Sequence, residues 1–400
     1  MVLTLENMKY SWRNLTMRKA RSLLTILSIF MGIATIFIFV SFGWGLYDYI
    51  DGFATGATAD KFSVQGRGGG APGTSAVIFT DDDIRSVERT LGVIEAEGVY
   101  MTFAEITQRD DRRFVMVAGI DTRGNLFQEL MTVDIERGRA LEAGDSGRVV
   151  LGHSYSVPNR VFSRPFELND RIIINGERFR VIGFYEPLGN PPDDTMIYMD
   201  LETFEDFFEP SGYSWIIGRA EISEMERTIE RVERSLRRSR NVEEGREDFF
   251  VASFLDQIAS FTAALDVVIF FIIFIAFISV IVSAVNTANT MVTSVLERIK
   301  EIGILKSIGA KNSEIFNIFL FESSLLGFAA GVIGVTVGWA FSAAAAQVLD
   351  ALGWGFLQPQ FSWMIFVGGI AFATIVGAVS GVIPAYEASK KRPVDALRYE

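Results

Sequence analysis

Side chains that could carry out catalysis are scarce in this chain of 400 residues. There is no cysteine, which excludes a cysteine nucleophile, and the single histidine, His153, makes a histidine metal site or a Ser-His-Asp triad hard to build. The glycine-rich stretch Gly66–Gly73 has no lysine, and the phosphate-loop motif Gly-x-x-x-x-Gly-Lys-Ser/Thr occurs nowhere in the sequence. Asp81–Asp83 could attract a cation, but acids in this position more often cap a helix. We therefore predict no catalytic residue, no metal and no cofactor in this chain.

Two acids lie in or beside long apolar runs, where a charge is costly and usually faces protein or water. Asp266 lies at the outer edge of one run, and we expect it at the membrane interface. Glu322 lies one to two turns inside the next run, and we expect it to make a helix–helix or gating contact. A proton or ion relay would need a charged partner in another span, and the sequence indicates none. The run that contains Glu322 also carries small-xxx-small spacing, which lets helices approach closely, at Gly327, Gly331, Gly334 and Gly338.

The segment Val292–Ala310 is short and charged and lies between two apolar runs. Apolar residues recur in it at every third position, which indicates a helix with one apolar stripe: Leu296, Ile299, Ile302, Leu305 and Ile308. Glu297 and Lys300 lie off that stripe, and Gly309 stands where a helix commonly ends. From this pattern alone, the helix could rest on the lipid interface or dock on a protein partner.

Composition and hydropathy indicate the elements that position these residues. Hydrophobic residues make up 49% of the chain, yet 22% of residues are charged, so membrane spans and a polar domain are both expected. The first apolar run is too long for a secretory signal and is interpreted as a retained anchor. The predicted segments are an interfacial helix at 1–21, spans at 22–46, 258–295, 315–349 and 363–383, a polar domain at 47–257, a loop at 296–314, a linker at 350–362 and a tail at 384–400.

Strand-like and helix-like stretches alternate within the polar domain. The Asn175-Gly176 pair between two β-rich runs predicts a hairpin, and an apolar stripe on Glu221–Arg240 predicts an amphipathic helix. The domain has 24 Lys or Arg and 39 Asp or Glu residues, a net charge of −15. The predicted fold class is a multi-pass α-helical membrane protein with four transmembrane helices and a large α+β extracytoplasmic domain between helices 1 and 2.

Basic residues indicate the orientation of the chain. The first 21 residues contain five, Thr293–Glu314 contains four and the tail contains four, whereas Asp350–Ser362 contains none. The positive-inside rule then predicts that both termini and the loop at 296–314 are cytoplasmic and that the large domain is outside.

A resemblance to one known family is carried by several stretches of the chain: Arg18–Gly32, Arg137–Gly152, Ile172–Gly183, Glu297–Ala310 and Ile383–Ser389 with Pro393–Glu400. They resemble MacB/FtsX-type ABC transporter permeases. The stretch Glu297–Ala310 is similar to the signature loop of that family, and Ile383–Ser389 with Pro393–Glu400 is similar to its C-terminal ending. Arg137–Gly152 and Ile172–Gly183 resemble its periplasmic core domain. The likeness covers nearly the whole chain, and it favours docking over a lipid-resting helix for the loop.

The resemblance implies a permease subunit of the cell membrane without ATPase activity of its own. A separate cytosolic ABC ATPase, which would hold ATP and Mg²⁺, would bind the loop. Its ATP hydrolysis would move the external domain through the membrane spans (mechanotransmission), for export or extraction of a substrate. The ATPase-coupling residues it implies are Glu297, Arg298, Glu301, Ile302, Gly303, Leu305, Lys306, Ile308, Gly309 and Ala310.

The other partners it implies are a second permease copy, as homodimer or paralogous heterodimer, membrane lipid and an extracytoplasmic accessory protein, with no nucleic acid. An FtsX-like regulator of an extracellular enzyme, such as a cell-wall hydrolase, remains the alternative function.

Overall fold

The computed structural model describes residues 19–54, 58–68, 75–124, 126–131 and 134–393. Most of the predicted interfacial helix, most of the stretch Gly66–Gly73 and the end of the tail therefore lie outside the described residues. The chain forms two compact units. We call them the helical unit (Met1–Leu46, Leu265–Gln347 and Gln358–Glu400) and the inserted domain (Tyr47–Ala264 and Val348–Leu357).

The described residues form ten α-helices and ten strands. The helices are α1 Lys19–Ala54, α2 Asp81–Glu88, α3 Leu126–Met131, α4 Pro191–Asp194, α5 Leu201–Phe208, α6 Met225–Ser239, α7 Phe254–Glu297, α8 Ile299–Ser307, α9 Asn312–Ala351 and α10 Trp363–Lys390. The strands are β1 Lys61–Gly66, β2 Val93–Gln108, β3 Asp111–Ile120, β4 Ile135–Gly138, β5 Arg148–Leu151, β6 Arg171–Ile174, β7 Glu177–Tyr185, β8 Ile197–Asp200, β9 Trp215–Ala220 and β10 Phe249–Ser253.

Four of these helices, α1, α7, α9 and α10, are long and apolar enough to cross a membrane. A helix rises about 1.5 Å per residue, so about 20 apolar residues cross a hydrocarbon layer of about 30 Å. In α9 the most apolar window is 50% buried within the chain, whereas in α7 it is 17% buried. The third span, α9, therefore packs largely against its own chain. The second span, α7, leaves most of its surface uncovered by the rest of the chain.

Helix α10 continues past Ile383, the predicted end of the last span, to Lys390. A proline inside a helix removes one backbone hydrogen bond. After Pro384, the small residues Ala385 and Ala388 are buried and pack in one apolar cluster with Phe319 of α9. This packing stabilises the last turns of α10 against the lost hydrogen bond.

One mixed sheet organises the inserted domain, with the strand order β10-β1-β9-β2-β3-β8-β5-β7-β4, while β6 pairs with β2 and β7. Most neighbours are antiparallel, and β3·β8 and β5·β7 are parallel. The predicted hairpin is confirmed: Ile174 pairs with Glu177, and Asn175 and Gly176 both have positive φ, as a two-residue turn of this kind requires.

Three apolar clusters hold the helices of the inserted domain against the sheet. The third forms where α2 and α6 pack on β1, β9 and β10, and it buries Val232 and Leu236 completely. The predicted amphipathic helix is therefore present, although its first residues, Ile222–Glu224, form a short 3₁₀ turn.

Candidate functional site

The loop between the second and third spans is a nine-residue helix, α8, with very short connections at both ends. Arg298 is the single residue between α7 and α8, and its carbonyl accepts from the backbone N–H of Ile302 at 3.0 Å. At the other end Gly309 has φ +104°, its N–H donates to Lys306 O, and the N–H of Ala310 donates to Leu305 O at 3.0 Å. This pair of bonds is a Schellman ending, for which glycine is favoured because it has no Cβ. The sequence alone indicated this ending.

The two faces of α8 have different surroundings. Ile299 and Ile302 are buried, at 6% and 2% exposure, and Leu305 packs against the same apolar cluster of the helical unit. On the other side Ile304 and Ile308 are 53% and 77% exposed. The outward face is therefore the one available to a partner protein.

This corrects the interpretation of the loop as having one apolar stripe. A strict three-residue repeat does not stay on one face, because an α-helix has 3.6 residues per turn. From Ile299 to Ile308 the helix makes about 2.5 turns, so these two side chains point in opposite directions. Sequence reasoning missed Ile304 for the same reason, since it does not fall on the three-residue repeat.

A buried ion pair ties α8 to α9. The Arg298 guanidinium donates from Nη1 to Glu322 Oε2 at 3.0 Å and from Nε to Glu301 Oε2 at 3.0 Å. The side chains of Arg298 and Glu322 are each 7% exposed, and the guanidinium also lies 5.2 Å from the ring centroid of Phe319. The charged partner of Glu322 does not lie in another span: it is Arg298, in the joint before α8.

Lys306 ties the end of α8 to the end of α10. Its ammonium donates to the carbonyl oxygens of Ser389 at 2.5 Å and of Lys391 at 2.8 Å. The backbone carbonyls at a helix C-terminus lack intrahelical partners and attract a positive charge. Desolvation by burial lowers the pKa of Lys306.

The four glycines of α9 face two different helices. A Cβ on Gly327 would lie 2.4 Å from the carbonyl oxygen of Ala373, and Gly331 also faces α10. A Cβ on Gly334 would lie 3.0 Å from Phe30 O of α1, and Gly338 also faces α1. Since side chains at these distances would force the helices apart, the glycines permit the observed packing.

The remaining predicted coupling residues are distributed over both faces. Glu297 and Glu301 are exposed, Gly303 is buried, and Ala310 packs beside the apolar cluster that contains Ile302. The structure thus brings Arg298, Glu301 and Glu322 into contact.

The candidate residues of the inserted domain have structural partners. Asp83 accepts from the backbone N–H of Thr80 at 3.0 Å, as a cap does, and pairs with Arg240 at 2.8 Å. His153 Nδ1 lies 2.8 Å from a Glu136 carboxylate oxygen. Among the described residues, no group of three or more His, Cys, Asp or Glu has an arrangement that could hold a metal ion.

Comparison with known proteins finds two family models that match this chain. The family model for the MacB-like periplasmic core domain matches residues 22–235, and the model for the FtsX-like permease C-terminal matches residues 273–393. An ABC transporter permease of Methanocaldococcus jannaschii is 30% identical over 395 residues, which cover 98% of this chain and 97% of that protein. The ABC transporter permease YknZ of Bacillus subtilis is 27% identical over 408 residues and 99% of each chain.

The macrolide export ATP-binding/permease protein MacB of Chlorobaculum tepidum is 27% identical over 410 residues. The match covers 98% of this chain and 61% of that relative. The predicted fold class is confirmed, with four helices able to span a membrane and a large α+β domain between the first two. The chain belongs to the MacB/FtsX-type family of ABC transporter permeases.

Proposed function

We propose that this permease receives movement from a separate cytosolic ATPase through α8 and transmits it to the inserted domain. The observation that carries the proposal is the difference between the two faces of α8. Its inner face is fixed to α9 by the Arg298–Glu322 pair and to α10 by Lys306, while its outer face exposes Ile304 and Ile308.

The outer face has the composition of a helix that docks in a groove. Two apolar side chains, Ile304 and Ile308, are bordered by the exposed charges of Lys300 and Glu301. An apolar centre with a polar rim is typical of protein–protein interfaces. Nucleotide chemistry, with ATP and Mg²⁺, would then belong to the partner, because this chain lacks a phosphate-binding loop.

The connections of α8 to the neighbouring helices are short. One residue separates it from α7, which is continuous from Phe254 to Glu297, and four residues separate it from α9. The guanidinium of Arg298 is buried in this joint together with Glu322. A displacement of α8 would therefore move α7 and α9 instead of deforming a loop.

Docking is tested with Ile304→Asp in the full chain, copurified with its cytosolic ATPase. We expect ATPase copurification to fall at least about tenfold, since a charge would be desolvated at the centre of the interface. Leu352→Asp is the matched control, because Leu352 is 63% exposed and lies in the linker after α9. Equal ATPase recovery with both variants would contradict docking through α8.

Transmission is tested separately from docking with the double variant Arg298→Met/Glu322→Met. Replacing a buried ion pair by apolar side chains of similar size is often neutral for stability. We therefore expect a folded permease that retains its ATPase but no longer changes the rate of ATP hydrolysis. Normal regulation of ATP hydrolysis by this variant would remove the ion pair from the transmission path.

A second permease copy and lipid are proposed to cover α7. This helix exposes many apolar side chains, among them Phe270 at 64%, Ile275 at 63% and Val282 at 63%. Mass measurement of the complex in lipid nanodiscs distinguishes a homodimer from a heterodimer with a paralogue. Protease treatment of intact cells checks the proposed orientation, with both termini inside and the inserted domain outside.

Export or extraction of a substrate is the proposed outcome, and control of an external enzyme is the alternative. Several relatives are named macrolide exporters, so a macrolide is a suitable first ligand. In liposomes, ATP hydrolysis stimulated by a small molecule, lipid or peptide would support export. Stimulation only by an extracytoplasmic accessory protein, such as a cell-wall hydrolase, would support the regulator.

A further inference from the structure

Three neighbouring strands of the inserted domain place arginines side by side. Arg180 of β7 pairs in register with Arg148 of β5 on one edge and with Arg171 of β6 on the other. Arg178 lies two residues before Arg180 on the same strand. Since successive side chains alternate between the two faces of a sheet, Arg178 and Arg180 share a face.

This face is the exposed one. All four arginines are exposed, whereas Phe179 and Val181, which alternate with them along β7, are buried in an apolar cluster. Neighbouring strands lie about 4.8 Å apart. The four guanidinium groups therefore belong to one compact surface, which we call the arginine row.

The arginine row is unusual for its surroundings. The domain from 47 to 257 has a net charge of −15, yet Arg171, Arg178 and Arg180 form no ion pair with any residue that the structure describes. Arg148 is compensated by Asp145, which is shared with Arg139. Like charges directly opposite each other in a sheet are destabilising, and a bound anion would offset this repulsion.

A depression of about 360 Å³ lies at the arginine row. It is lined by the four arginines together with Ser146, Gly147 and Phe179, and none of these residues is acidic. We propose that the arginine row binds a soluble ligand carrying a phosphate dianion. The proposal is independent of the coupling of α8 to an ATPase.

The chemistry of the guanidinium group favours this ligand. Its planar fork can donate two parallel hydrogen bonds to the oxygens of a phosphate, and it is less strongly hydrated than an ammonium. Three uncompensated positive charges match a dianion better than a single carboxylate. A lipid phosphodiester carries one negative charge and is a weaker match for the same reason.

The test uses the full chain in a neutral detergent, with inorganic pyrophosphate as the probe and equilibrium dialysis as the measurement. The variant is Arg178→Gln/Arg180→Gln. The control is Arg227→Gln/Arg238→Gln on α6, which removes two exposed charges of the same kind elsewhere in the domain. We expect saturable binding by the wild type and the control, weakened at least about tenfold in the variant.

Thermal unfolding provides an independent readout. Without pyrophosphate, the variant should unfold at the wild-type temperature or about 1–2 °C above it, because repulsion within the row is reduced. With pyrophosphate, the wild type and the control should be stabilised and the variant should not. Equal pyrophosphate binding by wild type and variant, or the same stabilisation by chloride at matched ionic strength, would overturn the proposal.

Two further arms complete the test. If the double variant fails to fold, Arg180→Lys replaces it, since lysine keeps the charge but lacks the fork; pyrophosphate affinity equal to the wild type would then overturn the assignment. Short-chain phosphatidylglycerol should not compete with pyrophosphate. Competition at equal concentration would assign the arginine row to a lipid headgroup and overturn the soluble ligand.

Discussion

Glu322 in the helical unit and Glu97 in the inserted domain are almost equally inaccessible, at 6% and 8% exposure, but their surroundings differ. Glu322 accepts from the Arg298 guanidinium, so a buried positive charge compensates it. Glu97 forms no ion pair with a described residue, and its Oε2 atom lacks a hydrogen-bond partner among them. Burial, with the nearby Asp121 carboxylate, raises the pKa of Glu97 to about 7, although backbone N–H groups of Leu126 and Phe127 oppose the shift.

The difference shows two ways to place a carboxyl group away from water. In the helical unit the charge is kept and paired, which fixes α8 against α9. In the inserted domain the carboxyl group takes up a proton near neutral pH, which makes stability depend on pH.

The largest expected effect follows from removing the paired acid. Glu322→Leu leaves Arg298 buried without its main partner, and breaking a buried pair from one side costs about 3–5 kcal/mol. Thermal unfolding of the full chain in detergent measures the loss. The Arg298→Met/Glu322→Met variant should recover most of it, and equal instability of the single and double variants would show that packing, not charge, is responsible.

At Glu97, by contrast, removing the negative charge should stabilise the protein, and the effect should depend on pH. Glu97 binds its proton more tightly in the folded chain, so its stabilising contribution is complete below pH about 4.5 and is lost as pH rises through about 7. Glu97→Gln mimics the protonated form, so it should stabilise the protein at pH 8 by about 3 kcal/mol and change little at pH 4.5. The free energy of unfolding of the wild type and of Glu97→Gln, measured between pH 4.5 and pH 8, checks this difference. A difference independent of pH would contradict protonation of Glu97.

A third expectation concerns the packing that holds Glu322 in place. A Cβ on Gly377 of α10 would lie 2.6 Å from the carbonyl oxygen of Ser323, the residue after Glu322. Gly377→Ala should therefore destabilise the helical unit by about 1–3 kcal/mol. Gly368→Ala on the same helix is the matched control, because its Cβ would meet nothing within 4 Å. Similar unfolding temperatures for both variants would mean that α9 and α10 can separate without cost.

The smallest effect is expected at the exposed partner of Arg298. Glu301 is 56% exposed and accepts from Arg298 Nε at 3.0 Å. Exposed ion pairs contribute about 0–1 kcal/mol, so Glu301→Gln should change the unfolding temperature far less than Glu322→Leu. A comparable loss in the two variants would contradict the distinction between buried and exposed partners.

The sequence was sufficient for features that depend on local chemistry. The number and order of long apolar helices, the Asn175-Gly176 hairpin and the helix ending at Gly309 each follow from residue type and spacing. The small-xxx-small pattern likewise predicted a close approach of α9 to other helices.

Features that depend on tertiary contact could not be predicted in the same way. The three-residue repeat in α8 gave no indication of which isoleucines are buried, because the helix turns by 3.6 residues. The partner of Glu322 was missed because Arg298 is 24 positions away and lies outside any span. Glu97 carries no signal in the sequence, since its pKa depends on burial beside α3.

The arrangement of glycines along α9 restricts how this helix can move. One pair, Gly327 and Gly331, contacts α10, and the other pair, Gly334 and Gly338, contacts α1. A turn of α9 about its own axis would bring larger side chains into both narrow contacts at once. Tilting or sliding together with both neighbours keeps these contacts, so α1, α9 and α10 should move as a single bundle.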